Sequence, residues 1–115
     1  MVIVSFSVPK LKPMVLNGTK QQTIRLMNKK WINAFDKIEN FYTVKLQLYW
    51  KQRSPNNEKL MEVECKSIQP IKLSEITLEI AKADGFETLD ECLTWFKNTY
   101  KKVDFETQYL ALIKW

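Results

Sequence analysis

A turn glycine, an ammonium group, a hydroxyl and a guanidinium occur together in Asn17-Gly18-Thr19-Lys20-Gln21-Gln22-Thr23-Ile24-Arg25. Gly18 can adopt a positive φ and so end one element, and the β-branched Thr23 and Ile24 after it predict a strand. Because side chains alternate along a strand, Thr23 and Arg25 are predicted on one face and Ile24 on the other. One face of this strand is therefore expected to be polar and cationic, and the other to belong to the core.

The length and composition of the chain predict one globular domain. Its 115 residues suffice for one hydrophobic core and are too few for two. The apolar fraction of 45% is typical of a globular protein, and no apolar run approaches the roughly 20 residues that span a bilayer. The segment Met1–Phe6 lacks the pattern of a signal peptide. We therefore expect a single domain over residues 1–115, cytoplasmic and without a membrane partner.

The content of cysteine and histidine limits the chemistry. Cys65 and Cys92 fall in segments predicted as a strand and a helix, without the CxxC spacing of a zinc site. Two buried thiols are expected in a reducing compartment, and a disulfide between them is the alternative. We expect neither a metal nor another cofactor. Because the chain has no histidine, acid–base chemistry would use carboxylates, lysine, tyrosine or hydroxyls.

The charge balance favours a polyanionic partner. The chain has 18 Lys and Arg against 13 Asp and Glu, a net charge of +5, although a charge of this size also serves the solubility of a small domain. Acidic residues concentrate between Glu75 and Glu106, so one basic face is expected from the first half of the chain. The basic residues of that half include Lys10, Lys12, Lys20, Arg25, Lys29, Lys30, Lys51 and Arg53.

Apolar periodicity and the positions of helix- and strand-ending residues predict the elements in the first half of the chain. Val2–Ser7 is predicted as a strand, and Lys10–Asn17 as a short helix followed by a glycine. Asn28–Asn40 is predicted as a loop that could contain helical turns. Phe41–Arg53 alternates between apolar and polar side chains as a long strand, and Leu60–Ile68 returns as its partner. These last two segments would form a hairpin.

The second half of the chain changes to helical periodicity. Ser74 is predicted to cap a helix that runs to about Ala83, with Gly85 near its end. Thr88-Leu89-Asp90-Glu91 is a capping box, and an apolar stripe with helical spacing follows it. Phe105–Trp115 alternates as a closing strand. The order predicts an α+β fold, specifically a small, mostly antiparallel β-barrel with about three helices, because closure protects the edges of short strands.

The block from Gly18 to Arg25 resembles the GxKxxTxR signature of ASCH domains. A second block resembles one found in small archaeal members, and it consists of Ala83–Leu89 followed by Leu93, Trp95, Phe96 and Tyr100. Phe6–Leu16 and the terminal strand also fit, so the resemblance covers nearly the whole chain. It implies a PUA-like β-barrel and a role in RNA binding and RNA metabolism. One branch of the family consists of amidohydrolases that remove the acetyl group from N4-acetylcytidine.

The resemblance also implies site residues. The catalytic lysine, threonine and acidic residue of the hydrolase branch match Lys20, Thr23 and Asp84. The acid is a glutamate in that branch, and the shorter Asp84 displaces the carboxylate by about 1 Å, enough to matter for proton transfer. A lysine with a lowered pKa would deprotonate the Thr23 hydroxyl, or a water molecule would be the nucleophile. Arg25 would suit a phosphate or a base carbonyl, with Gly18 at the same cleft.

Two classes of function therefore remain. The first is a module that binds RNA or a modified nucleoside, with phosphates held by Lys10, Lys12, Lys29, Lys30, Lys51 and Arg53. Among the aromatic residues Tyr49 is the best candidate for base stacking, followed by Trp31. The second is an enzyme that hydrolyses a nucleobase amide or, as a weaker alternative, cleaves RNA.

Each site residue also has a structural interpretation. Lys20 could be a solvated surface lysine, and Thr23 could simply favour a strand. Asp84 could end a helix together with Gly85, and Arg25 could pair with a carboxylate to stabilise the sheet.

Overall fold

Strands and helices alternate along the chain in the computed structural model, which describes residues 2–115. The strands are β1 (Val2–Phe6), β2 (Gln22–Leu26), β3 (Lys45–Trp50), β4 (Glu58–Glu64), β5 (Ser67–Ile71) and β6 (Leu110–Lys114). The helices are α1 (Leu11–Leu16), α2 (Lys29–Glu39), α3 (Leu78–Ala83) and α4 (Leu89–Thr99), with a 3-10 turn over Leu73–Glu75. Across residues 2–115, no helix has the length and apolar character needed to cross a membrane.

The strands form two three-stranded sheets, so the α+β class and the mostly antiparallel pairing are confirmed. The first sheet has the order β1-β3-β4, in which β1 runs parallel to β3, and the second has the order β2-β6-β5 and is antiparallel throughout. The predicted closed barrel was wrong, because within residues 2–115 no strand pairing joins the two sheets, neither between β1 and β2 nor between β4 and β5. We call the gap between the edges of β1 and β2 the β1–β2 seam.

The core consists of two hydrophobic clusters, which lie on opposite faces of the β2-β6-β5 sheet. The first lies between the two sheets, because it joins β1 and β3 to Ile68 of β5 and Ile113 of β6, and it is covered by Trp31 of α2. The second lies between the β2-β6-β5 sheet and the helices α3 and α4, and includes Cys92 and Phe96. Each fully buried large apolar side chain stabilises the fold by about 1.5–3 kcal/mol. The first cluster therefore holds the two sheets together, and the second holds α3 and α4 against the β2-β6-β5 sheet.

Helix α2 replaces the loop predicted for Asn28–Asn40. The side chain of Asn28 caps the helix by accepting a hydrogen bond from the backbone N–H of Trp31 at 3.2 Å. Trp31, Ala34 and Ile38 recur at helical spacing, and the first two are buried. The cap and this apolar face stabilise a helix in spite of the loop-forming composition of the segment. Residues 2–115 therefore contain four α-helices, whereas about three were predicted.

Two predicted boundaries in the centre of the chain were also wrong. Leu60–Ile68 is not one strand, because β4 ends at Glu64 and the chain then enters the other sheet as β5. Ser74 lies in the 3-10 turn, and α3 begins later, with Thr77 as the residue whose side chain accepts a hydrogen bond from Ile80. The predicted Thr88 cap of α4 is confirmed by a 3.1 Å hydrogen bond from the N–H of Glu91.

Both cysteines are free and buried, as predicted, and they belong to different clusters. Burial raises the pKa of Cys65 to about 11 and that of Cys92 to about 12. Thiols with such pKa values stay protonated at neutral pH and are poor nucleophiles. The cysteines are therefore packing residues.

Candidate functional site

A cavity of about 370 Å³ opens at the β1–β2 seam, between β1, α1 and the region where α3 leads into α4. Its polar lining includes five of the residues named from the sequence, namely Lys10, Lys20, Thr23, Arg25 and Asp84. Its aromatic lining consists of Phe6, Phe86, Trp95 and Tyr100. We call it the seam cavity. The fold thus brings together side chains from two blocks that lie far apart in the sequence.

Lys20 reaches the cavity through the turn that ends α1. Gly18 has a φ of +80°, the left-handed conformation that favours glycine. The N–H of Thr19 donates to Asn17 Oδ1 at 2.9 Å, and the N–H of Lys20 donates to the carbonyl of Met14 at 2.9 Å. This turn directs the side chain of Lys20 inward, where only 1% of it is exposed. Gly18 itself does not line the cavity and acts by shaping the turn.

Asp84 is positioned by the end of α3. The N–H of Gly85 donates to the carbonyl of Lys82 and the N–H of Phe86 donates to that of Ala81, each at 3.0 Å. These two bonds, with a φ of +108° at Gly85, form a Schellman motif. The motif reverses the chain directly after Asp84 and presents both its carboxylate and its carbonyl to the cavity. Asp84 therefore ends the helix and also contributes to the site.

Lys20 and Asp84 form a buried ion pair. The ammonium group of Lys20 donates to the backbone oxygen of Asp84 at 2.7 Å and to its Oδ1 at 3.1 Å. The Asp84 side chain is 11% exposed, in contrast to the other ion pairs of residues 2–115, which are all at the surface. The interpretation of Lys20 as a solvated surface lysine was therefore wrong.

Arg25 crosses the β1–β2 seam beside this pair. Its Nε donates to Thr23 Oγ1 at 3.0 Å, which places the two side chains on one face of β2 as predicted. Its Nη2 donates to the carbonyl oxygen of Ser5 on the free edge of β1 at 2.8 Å. The guanidinium also lies 5.4 Å from the ring centroid of Phe6, and the Lys20 ammonium lies 5.8 Å from the same centroid. Arg25 thus donates a hydrogen bond to a backbone carbonyl of β1 that no neighbouring strand pairs with.

Burial shifts the pKa of both members of the ion pair. It lowers the pKa of Lys20, opposed by the charge of Asp84 and assisted by the nearby Arg25. It raises the pKa of Asp84, opposed by Lys20 and Arg25. The cause is the same in both cases, because a poorly hydrated site disfavours either charge. An acid and a base whose pKa values are moved toward neutrality are a recurring property of ligand and catalytic sites.

The aromatic wall of the cavity centres on Trp95 of α4. Its ring centroid lies 6.1 Å from Phe86, 5.0 Å from Phe96 and 6.2 Å from Tyr100. Although three aromatic rings hold it, Trp95 remains 41% exposed. It therefore presents a supported aromatic surface to the cavity.

The two preferred stacking candidates do not lie at this wall. Trp31 is 2% exposed in the first cluster, which excludes it as a stacking surface. Tyr49 is half-buried on β3 and does not line the seam cavity. The second ASCH-like block contains Phe86, Trp95 and Tyr100, so the sequence did carry a signal for the wall that is present.

The remaining basic residues are spread over two regions. Lys10 lines the seam cavity. Lys12 pairs with Glu58 at 3.1 Å, and the ammonium groups of Lys12 and Lys51 lie 5.7 and 5.4 Å from the ring centroid of Trp50. These two lysines therefore belong to the surface around β3 and β4.

The basic residues of the other region lie beyond Arg25. The ammonium group of Lys30 donates to the carbonyl of Ile3 at 2.8 Å, and Arg53 is exposed beside it. Lys29 is exposed at the start of α2. The predicted basic face is thus divided, and only Lys10, Lys20 and Arg25 line the seam cavity.

Comparison with known proteins adds no relative: no protein-family model, curated protein or solved structure matches the chain. The resemblance to ASCH domains therefore stays a prediction based on the two sequence blocks. Within residues 2–115, no group of three or more acidic or cysteine side chains is arranged to hold a metal ion.

Proposed function

We propose that this chain is an ASCH-type domain that binds a modified nucleoside, free or as an unpaired base of RNA, in the seam cavity. The observation that carries the proposal is the buried Lys20–Asp84 pair on the floor of a cavity with an aromatic wall. The PUA-like barrel that the resemblance implies would in this chain be open at the β1–β2 seam, and the opening would be the entrance for the ligand.

The buried ion pair supports a ligand site because it is costly as a structural element. Taking two charges out of water usually costs more than their attraction returns, and apolar side chains of similar volume would stabilise the fold at least as well. The pair nevertheless occupies the cavity floor, where Lys20 is 1% exposed. An interaction with a polar ligand accounts for charges at this position.

The size and lining of the cavity suit a nucleobase. A volume of about 370 Å³ lies within the range of small-molecule sites. Trp95 would stack on the base, as aromatic side chains do on unpaired bases of RNA. Lys20 and Arg25 would donate hydrogen bonds to ring nitrogens or exocyclic oxygens, and Asp84 would accept one from an exocyclic N–H.

The proposal is tested by calorimetric titration with cytidine and N4-acetylcytidine. We expect saturable binding by the wild type, and Lys20→Met should weaken it at least about tenfold because a charge-assisted hydrogen bond is lost. Thr23→Val removes only a hydroxyl and provides a second variant should Lys20→Met not fold. Lys37→Met, an exposed change in the last turn of α2, is the matched control. Absence of binding to both nucleosides and to a short single-stranded RNA would refute the proposal.

A second candidate function is hydrolysis of the acetyl amide of N4-acetylcytidine. It is favoured by the pKa values of Lys20 and Asp84, both moved by burial toward the range of proton-transfer groups, beside the hydroxyl of Thr23. Water and N4-acetylcytidine would yield acetate and cytidine. Neutral Lys20 would remove a proton from the nucleophile, and that proton would then pass to the leaving amine, with Asp84 orienting Lys20.

The hydrogen bonds of the site bear on the choice of nucleophile. Lys20 donates to Asp84, whereas the Thr23 hydroxyl accepts from Arg25. A water molecule activated by Lys20 therefore needs less rearrangement than attack by Thr23. Release of cytidine by the wild type, its loss in Lys20→Met and its retention in Thr23→Val would support the water route. Loss in Thr23→Val as well would favour Thr23, and no turnover by the wild type would exclude this substrate.

A further inference from the structure

A second cavity, of about 630 Å³, lies on the other side of Arg25. We call it the basic cavity, because its lining includes Arg25, Lys30 and Arg53. Ser5 and Arg25 line both this cavity and the seam cavity. The two cavities therefore meet at the β1–β2 seam, where Arg25 donates to the carbonyl of Ser5 at 2.8 Å.

The basic cavity holds three cations and no acidic side chain in its lining. The charges are close enough to interact, because burial lowers the pKa of Lys30 and the charges of Arg25 and Arg53 lower it further. None of the ion pairs found across residues 2–115 includes any of the three, and Asp84, the acid whose charge acts on Arg25, lines the seam cavity and not the basic cavity. Like charges gathered without a counter-charge favour binding of an anion.

Support of the strand edge accounts for part of this arrangement. Lys30 donates to the carbonyl of Ile3 at 2.8 Å and Arg25 donates to that of Ser5, two residues further along the free edge of β1. Arg53 has no such role, since it is exposed and donates no side-chain hydrogen bond within residues 2–115. A guanidinium has five N–H donors, so the two bonds made by Arg25 leave donors for a ligand.

We propose that Arg25, Lys30 and Arg53 form a phosphate subsite joined to the seam cavity, so that the ligand is a phosphorylated nucleotide. The phosphate would belong to a free nucleotide or to a nucleotide within an RNA strand. The inference rests on the proposed function, because it specifies the ligand class of the same site. Arg25 would contact base and phosphate groups at once, which fixes the position of one relative to the other.

The subsite is tested first without any nucleoside. Inorganic phosphate is titrated into 15N-labelled protein, and the amide signals of Ser5, Gln52 and Arg53 are followed, since these residues line the basic cavity. Saturable shifts are expected in the wild type, and Arg53→Gln and Lys30→Gln should abolish saturation. Lys37→Gln removes the same charge from an exposed position of α2 and should change nothing. Urea unfolding midpoints confirm that each variant is folded.

The second arm compares a nucleoside with its phosphates. Cytidine, its 5′- and 3′-monophosphates and a short single-stranded RNA without terminal phosphates are titrated into each variant. We expect a monophosphate or the RNA to bind about tenfold more tightly than cytidine, or about 1.4 kcal/mol. Arg53→Gln should remove this gain and leave the affinity for cytidine within about twofold. A gain confined to a monophosphate indicates a free nucleotide, and a gain with the RNA indicates a strand.

The outcomes separate the two proposals. If cytidine binds but its phosphates bind no better, and inorganic phosphate gives no saturable shift, the subsite is refuted and the proposed function stands. If phosphate binds through Arg53 and Lys30 while no nucleoside or nucleotide does, the proposed function fails, and the joined subsite fails with it. A phosphate gain that persists in Arg53→Gln and Lys30→Gln also refutes the subsite.

Discussion

The ammonium group of Lys20 lies 2.7 Å from the carbonyl oxygen of Asp84 and 3.1 Å from its Oδ1, across a sequence separation of 64 residues. Lys20 follows the turn that ends α1, and Asp84 directly follows α3. One buried ion pair therefore connects the turn that contains Gly18 with the turn that contains Gly85. A pair in this position links the stability of the fold to the chemistry of the site, and the two effects can be separated by experiment.

Removing one member of the pair should be more harmful than removing both. Lys20→Met leaves the Asp84 carboxylate buried without its counter-charge, and we expect a loss of about 3 kcal/mol in the free energy of unfolding at neutral pH. The double variant Lys20→Met/Asp84→Asn has no stranded charge and should lie within about 1 kcal/mol of the wild type. Urea unfolding of the wild type, both single variants and the double variant measures the coupling. Additive losses would show that the pair is not coupled.

The stability of Lys20→Met should depend on pH through Asp84. Burial raises the pKa of Asp84 above 3.8, and loss of the opposing ammonium raises it further. Between 3.8 and the folded pKa the native state binds more protons than the unfolded state, so stability falls as pH rises through that window. The deficit of Lys20→Met relative to Lys20→Met/Asp84→Asn should thus be larger at neutral pH and shrink toward pH 4. Unfolding midpoints in urea across this range measure it, and a constant deficit would contradict the assignment.

The sequence predicted the polar floor of the site because the responsible signals are local. Glycines at positions 18 and 85 require turns, and alternation along β2 places Thr23 beside Arg25. The resemblance to ASCH domains then indicated that the block from Gly18 to Arg25 and the block that begins at Ala83 belong to one site. Lys20 and Asp84 consequently could be named as partners from the sequence.

The open seam and the basic cavity depend on tertiary packing, which local signals do not contain. Strands β1 and β2 do not pair, and the side chain of Arg25 instead reaches from β2 to the carbonyl of Ser5 on the β1 edge. Helix α2, taken from the sequence for a loop, brings Lys30 to the same edge. Trp31 is a core residue because α2 packs against β5 and contributes to the cluster between the two sheets.

The two glycines should respond differently to alanine. Both have a positive φ, so Gly18→Ala and Gly85→Ala each incur backbone strain of about 1–2 kcal/mol. A Cβ at Gly18 would meet nothing within 4 Å, whereas one at Gly85 would lie 2.7 Å from Cδ2 of Leu11. We expect Gly85→Ala to lose about 1 kcal/mol more than Gly18→Ala, measured by urea unfolding.

Gly85→Ala should also weaken nucleoside binding, because Leu11 lines the seam cavity and the peptide between Asp84 and Gly85 carries the carbonyl that holds Lys20. Lys37→Met, an exposed change on α2 away from that cavity, serves as the control. Equal stability losses for Gly18→Ala and Gly85→Ala, with unchanged nucleoside affinity in Gly85→Ala, would show that the 84–85 peptide has enough freedom to absorb a side chain.

The exposed face of Trp95 should contribute to binding more than to folding. Trp95→Ala removes the stacking surface, and stacking on one base is worth about 1–3 kcal/mol, so affinity for cytidine should fall at least about fivefold. Trp95→Phe keeps an aromatic ring and should recover most of the loss. Because Trp95 is 41% exposed, its truncation should cost less stability than that of the buried Phe96 next to it. Calorimetric titration gives the affinities, and urea unfolding gives the stabilities.

Tyr42→Ala is the matched control for Trp95, since Tyr42 is a 69% exposed aromatic residue that does not line the seam cavity. It should leave the affinity for cytidine unchanged. If Trp95→Ala binds cytidine as tightly as Tyr42→Ala does, the aromatic wall is not a stacking surface. Cytidine would then be recognised by Lys20, Arg25 and Asp84 at the floor of the cavity. The hydrogen bonds that position these three side chains do not involve Trp95.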